Sequence, residues 1–171
     1  AIPQTVSDGT NTYTVTKIMN YVFSKNSTLT GISMPGTIIE IGDNAFYSCS
    51  NLTGDITIND PIQKIGPGAF NNCYNDQLTL KFTNLQNAHI GNGAFMRCIS
   101  LSSLGGTISY IDEAAFTSCT KLTGSLTLSA DITSIGYQAF NKCSISDITC
   151  HASVPPTLSD KCFDSDVNYT I

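Results

Sequence analysis

One nine-residue frame, I-G-x-x-A-F-x-x-C, recurs along the chain and restricts its fold more than any other feature. It begins at Ile41 ("IGDNAFYSC"), Ile65 ("IGPGAFNNC"), Ile90 ("IGNGAFMRC"), Ile111 ("IDEAAFTSC") and Ile135 ("IGYQAFNKC"). Decayed copies at Ile18 ("IMNYVFSKN") and Leu158 ("LSDKCFDSD") flank these, so there are seven, each starting 21 to 25 residues after the one before. A unit this short cannot bury its own apolar face, but stacked equivalents share one continuous core. Self-similarity at such a period therefore points to a stack of coils.

Between the frames lies a second apolar pattern with period two. In "GISM", "DITIN", "QLTLK", "SLTLS" and "DITCH" the pairs Ile32/Met34, Ile56/Ile58, Leu78/Leu80, Leu126/Leu128 and Ile148/Cys150 alternate with polar residues. Period two means a strand with one buried face. Each unit thus reads as strand, turn, a short apolar segment ending in Ile-Gly, and a tight turn carrying Ala-Phe. Stacking at the strand spacing of about 4.8 Å gives a rod on the order of 30 Å long with a parallel β ladder.

The repeated letters read as packing positions. Phe23, Phe46, Phe70, Phe95, Phe116, Phe140 and Phe163 are expected to stack as a spine, each worth about 2 to 3 kcal/mol of burial. The residue before each Phe is small to spare the neighbouring coil. Gly42, Gly66, Gly91 and Gly136 suit a left-handed or bulged backbone. Cys49, Cys73, Cys98, Cys119 and Cys143 close the frame. Equivalent Cβ atoms about 4.8 Å apart exceed the roughly 3.8 Å that a disulfide prefers, so a ladder of reduced, buried thiols is expected. Cys150 and Cys162 lie outside that ladder, and their spacing does not decide whether they pair.

Composition narrows the function. Only 12% of the 171 residues are charged, the net charge is -5, and there is no basic run, so nucleic acid and anionic membranes are poor partners. No apolar window is long enough to cross a bilayer, and the N-terminus has no charged region followed by an apolar one. An export signal or lipid anchor is expected to be absent from this chain. His89 and His151 fall in different parts of different repeats, and His89 reads as a solvated loop residue. Carboxylates are dispersed through turns, and "SDKCFDSD" lacks the Gly and terminal Glu of a calcium loop. No catalytic residues, metal ligands or cofactor are expected.

What remains is the outward side of the strands: Asp55, Thr57, Asn59; Gln77, Thr79, Lys81; Ser125, Thr127, Ser129; and Asp147, Thr149, His151, extended by Ser33 and Gly105. Hydroxyls and amides at ladder spacing make an extended, nearly uncharged hydrogen-bonding face, which serves either to keep the sheet soluble or to hold a ligand.

The frame "IGxxAFxxC" with "L-T-G-x-[IL]-T-[IL]", over residues 18 to about 165, resembles the BspA-type leucine-rich repeat of bacterial cell-surface proteins. "CHASVPPTL" (150–158) resembles the closing region of such proteins in Bacteroides, and the resemblance implies a further strand and tail after "NYTI". It implies a right-handed, curved leucine-rich-repeat solenoid of about seven β-rich coils with short turns or 3-10 segments. Residues 1–17 form an N-terminal cap or strand, 18–165 the repeats, and 166–171 a C-terminal edge. It also implies a non-enzymatic, extracellular domain that adheres to host or matrix proteins. A glycan-binding module and a structural spacer of a larger surface protein are the alternatives; the oligomeric state stays open.

Overall fold

The computed structural model describes all residues except 53, 59–60, 76–77, 165–167 and 171, and the backbone alone at 54–57, 78 and 168–170. The expected edge at 166–171 lies largely outside these residues. The chain folds as a parallel β-solenoid with no helix among the described residues, in which the seven frames mark off six full coils.

Each coil has three sides. The strand side carries β5 (Gly54–Ile58), β7 (Leu78–Ile90), β8 (Leu101–Ile111), β9 (Thr123–Leu128), β11 (Ser144–Cys150) and β13 (Asn168–Thr170). The Ile-Gly side carries the short strands β3 (Lys17–Ile18), β4 (Glu40–Ile41), β6 (Ile62–Ile65), β10 (Ser134–Ile135) and β12 (Thr157–Leu158), together with the ends of β7 and β8. There the first residues of the frames pair in one unbroken column: Ile18, Ile41, Ile65, Ile90, Ile111, Ile135 and Leu158. An antiparallel hairpin of β1 (Thr5–Ser7) and β2 (Thr12–Thr14) precedes the stack. The alternation in "GISM" does not produce a strand; Ser33 instead accepts the Ile2 N–H through its carbonyl at 2.9 Å.

The third side is the Ala-Phe turn, which is a ladder of its own. Within a turn, the N–H groups of Ala45, Tyr47 and Cys49 return to the carbonyls of Gly42, Asn44 and Phe46. Between turns, the N–H groups of Asn44, Phe46 and Ser48 donate to the Pro67, Ala69 and Asn71 carbonyls of the next coil, each at 2.8 Å. This double use of the backbone needs positive φ at the fourth and eighth positions of the frame: 51° at Asn44, 53° at Ser48, 63° at Gly68, 60° at Asn72 and 58° at Arg97. Non-glycine residues pay about 1–2 kcal/mol for that conformation, and the inter-coil hydrogen bonds offset it.

The glycines of the frame have a different purpose from the one expected. Gly42, Gly66, Gly91 and Gly136 do not have positive φ. They lie where coils touch: a Cβ on Gly91 would sit 2.6 Å from the Pro67 nitrogen, and one on Gly66 would sit 2.8 Å from the Asp43 nitrogen. Close approach of backbones, and not conformational freedom, excludes side chains there.

The core runs along the axis. Seven Phe rings form six stacked pairs with centroids 5.0 to 5.3 Å apart and planes within 13° of parallel. Phe82, a ring outside the frame, wedges edge-on between Phe70 (5.8 Å) and Phe95 (5.4 Å). All seven thiols are unbridged. Those of Cys49, Cys73, Cys119 and Cys143 donate to the carbonyl of the Phe one coil earlier, at 3.0 to 3.2 Å. Burial pushes the Cys98 thiol up to about 11 and raises Cys73 and Cys119 well above the ordinary thiol range. Thiolate is the reactive form. In native protein at pH 8, a thiol-disulfide reagent is therefore expected to titrate the half-buried Cys143 and Cys150 first and all seven thiols only after denaturation. Rapid native labelling of Cys73, Cys98 or Cys119, read by peptide mass mapping, would contradict this arrangement.

Candidate binding surface

The strand side brings most of the predicted face into register. In β5 and β7, Asp55 pairs with Thr79 and Thr57 with Lys81, and Lys81 pairs onward with Ser103 of β8. In β9 and β11, Ser125 pairs with Asp147 and Thr127 with Thr149, and β13 continues both columns with Asn168 and Thr170. The buried partners between them, Leu80, Leu126, Leu128 and Ile148, are at most 2% exposed, which places Thr79, Lys81, Ser125, Thr127, Asp147 and Thr149 on the outside. Ser125, Asp147 and Thr149 are exposed, and Thr79, Lys81 and Thr127 are half-buried. Asn59 and Gln77 lie outside the described residues.

Two expectations for this face need correction. Ser129 is only 4% exposed, and its hydroxyl accepts the Asp131 N–H at 3.2 Å, so it stabilises a turn inside the coil. The face is also not one continuous column. β8 and β9 pair at Ile108 and Leu128 alone, so the columns divide into a block on β5, β7 and β8 and a block on β9, β11 and β13. The division falls at the shortest coil, 21 residues from Ile90 to Ile111, whose strand is β8. His151 is exposed just past β11, its N–H donating to Leu128 at 3.2 Å. Ser33 and Gly105, which were to extend the face, are exposed and half-buried, and a Cβ on Gly105 would lie 3.0 Å from the Thr83 Cα.

The Ile-Gly side gathers charge that spacing did not reveal. Lys17, Glu40, Lys64, His89 and Tyr110 occupy one column across five coils. The Glu40 carboxylate accepts from Lys17 at 2.9 Å and Lys64 at 3.2 Å, and the Lys17 hydrogen bond holds it below the usual carboxylate range. His89 is not a loop residue. It lies in β7, contacts Asp112 at 3.1 Å and packs edge-on against Tyr110 at 4.7 Å. The signal for this column was the residue just before each Ile, which the repeat leaves free to vary.

The family model of the BspA type leucine rich repeat region matches residues 16–106 and 88–170, in six copies. Among solved structures, a leucine rich cell surface protein of Faecalibacterium prausnitzii is 31% identical with a TM-score of 0.72, over 98% of this chain and 46% of that one. The T. pallidum leucine rich repeat protein shares the fold at 22% identity and a TM-score of 0.54, over 77% of this chain and 62% of that one. A leucine-rich repeat protein of Bacteroides ovatus aligns at 21% identity and a TM-score of 0.40, over 86% of this chain and 50% of that one. The chain spans less than two thirds of the length of each of these proteins. No curated protein matches it. The repeat match takes in residues 16 to 170, and the chain belongs to the BspA-type leucine-rich repeat family.

Proposed function

We propose that this chain is a recognition segment of a bacterial cell-surface protein, that it adheres to host or matrix proteins, and that the strand side is the binding face. The observation that carries the reading is the register of Ser125 with Asp147 and of Thr127 with Thr149 above a buried row of Leu and Ile. Hydroxyls and one carboxylate are held there at fixed spacing on a scaffold paired from coil to coil. Such a face offers directional hydrogen bonds with little ordering cost on association. The Faecalibacterium relative is described as a cell surface protein, which supports the location. The role is binding and not catalysis, as is general for repeats of this kind.

The test is surface plasmon resonance against immobilised collagens, laminins and serum glycoproteins. Replacing Asp147 and Thr149 together with alanine is expected to weaken binding by about tenfold or more, equivalent to about 1.4 kcal/mol. Lys64→Ala, on the Ile-Gly side, is expected to bind as the parent does. Equal binding by the strand-side variant, or no binding to any panel member, would overturn the reading.

A further inference from the structure

A broad cleft lies away from the strand side. It opens where β7 and β8 turn the corner between two sides, and it is lined by Gln63, Leu85, Gln86, Asn87, Gly106 and Thr107. Its volume, about 660 Å³, falls in the range of about 300–1,000 Å³ typical of small-molecule sites. The corner is irregular in a defined way: the register between β7 and β8 shifts on either side of Leu85. Gly106 has φ of 91° and packs so closely that a Cβ would lie 2.5 Å from the Leu85 nitrogen. Any side chain at 106 would be forced against β7.

Asn87 is held in place by the opposite strand. Its N–H donates to the Thr107 hydroxyl at 3.1 Å, that hydroxyl donates to the Asn87 side-chain oxygen at 2.9 Å, and Ser109 donates to the Asn87 carbonyl at 2.7 Å. These bonds hold Asn87 at φ of 48°, a left-handed conformation that asparagine tolerates. The Asn87 amide nitrogen remains able to donate. Gln63 and Gln86 are exposed, and their amides make no hydrogen bond to a described residue. The lining thus presents three amides and a hydroxyl, with no charged side chain among the six residues.

We infer that this cleft is a subsite for a neutral saccharide. A sugar hydroxyl both donates and accepts, and so does a carboxamide, which offers an acceptor oxygen and two N–H donors. A peptide fits less well. β7 is paired on both sides, by β6 and β8, so it has no free edge to extend, and the buried Leu85 is no apolar anchor. Tyr110 adds an aromatic face. It is 41% exposed, held against His89, and lies three residues beyond Thr107 on β8, on the order of 10 Å away at the usual strand rise. A ring at the cleft and another on Tyr110 define a ligand of at least two units.

This inference concerns another ligand and another corner of the coil, so it stands or falls separately from protein adhesion by the strand side. The test uses neutral cello-, xylo-, manno-, malto- and N-acetylglucosamine oligosaccharides, from di- to hexasaccharides, in saturation-transfer NMR and calorimetry. At least one series is expected to bind, and Gln63→Ala with Gln86→Ala is expected to lose about tenfold or more in affinity. Both residues are exposed, so the double variant should melt as the parent does. Tyr110→Ala is expected to weaken the longer oligomers and leave disaccharides unaffected. No binding by any series, or unchanged binding by the double variant, would overturn the inference. Loss of matrix-protein binding in that variant without any saccharide binding would do the same, and would assign the cleft to a protein interface.

Discussion

Replacing Phe95 with alanine is expected to lower the unfolding free energy by about 3–5 kcal/mol, a large share of what a domain of this size possesses. Phe95 is fully buried and touches three other rings: Phe70 and Phe116 stacked on its two faces at 5.3 Å, and Phe82 against it at 5.4 Å. Removing it opens a void bounded above and below by rings fixed through their own coils. The neighbours cannot collapse into that void without breaking inter-turn hydrogen bonds, here Phe95 N–H to Ala115 at 2.7 Å and Phe70 N–H to Ala94 at 2.7 Å. The same change at Phe23, which is only partly buried and stacks on one side, is expected to cost less than half as much. Urea unfolding followed by circular dichroism measures both. A Phe95→Ala loss below about 1 kcal/mol would mean that the spine is not the main source of stability.

The second large effect is expected at a residue with no side chain. Gly91→Ala is expected to cost about 1–3 kcal/mol, because the added methyl would meet the Pro67 nitrogen at 2.6 Å and the Gly66 carbonyl carbon at 2.9 Å, both backbone. Neither can move without separating two coils. Gly31→Ala, with nothing within 4 Å, is expected to stay within about 0.5 kcal/mol of the parent. Asparagine distinguishes the steric cause from a conformational one, since it tolerates left-handed backbone better than alanine does. Gly91→Asn should be at least as damaging as Gly91→Ala; a clearly milder effect in thermal melts would restore the conformational explanation.

The contrast between these two positions shows what the sequence reveals. Phe and Cys were legible because their role repeats from coil to coil: a buried ring needs the same volume each time, and four of the five frame thiols meet a Phe carbonyl, Cys98 turning to the Ser100 hydroxyl instead. Glycine was legible as a requirement but not as a cause, since close approach and positive φ select the same letter. The positions that do have positive φ were invisible. Tyr21, Asn44, Ala114, Gln138 and Lys161 share no chemistry, because the inter-coil hydrogen bonds impose the conformation and the side chains only tolerate it.

Much the same holds for the candidate surfaces. Alternation in "SLTLS" and "DITCH" put Ser125, Thr127, Asp147 and Thr149 on the outward side, and the register then pairs Ser125 with Asp147 and Thr127 with Thr149. It failed at Ser129, where the strand had already ended and the next turn drew the hydroxyl inward. The Gln86–Asn87 corner sat in the longest interval between frames, 25 residues, close to His89, which read as a loop residue. Those extra residues are instead absorbed as register shifts within one 13-residue strand, something no local pattern encodes.

The one-way hydrogen bonds of the Ala-Phe turns give that side of the stack an electrical direction, while the N–H groups of Gly42, Gly66, Gly91 and Gly136 on the Ile-Gly side point the other way. In every turn the linking N–H groups point toward the C-terminal end and the carbonyls they meet point back. Peptide dipoles aligned in this way add, as they do in an α-helix, but with the opposite sense: here the positive pole faces the last coil. Asp164 is placed accordingly. Its carboxylate accepts the Lys142 N–H at 2.9 Å, where earlier turns have a neutral carbonyl, and it also accepts from the Asn141 amide at 2.9 Å. A full negative charge thus sits at the pole that attracts it.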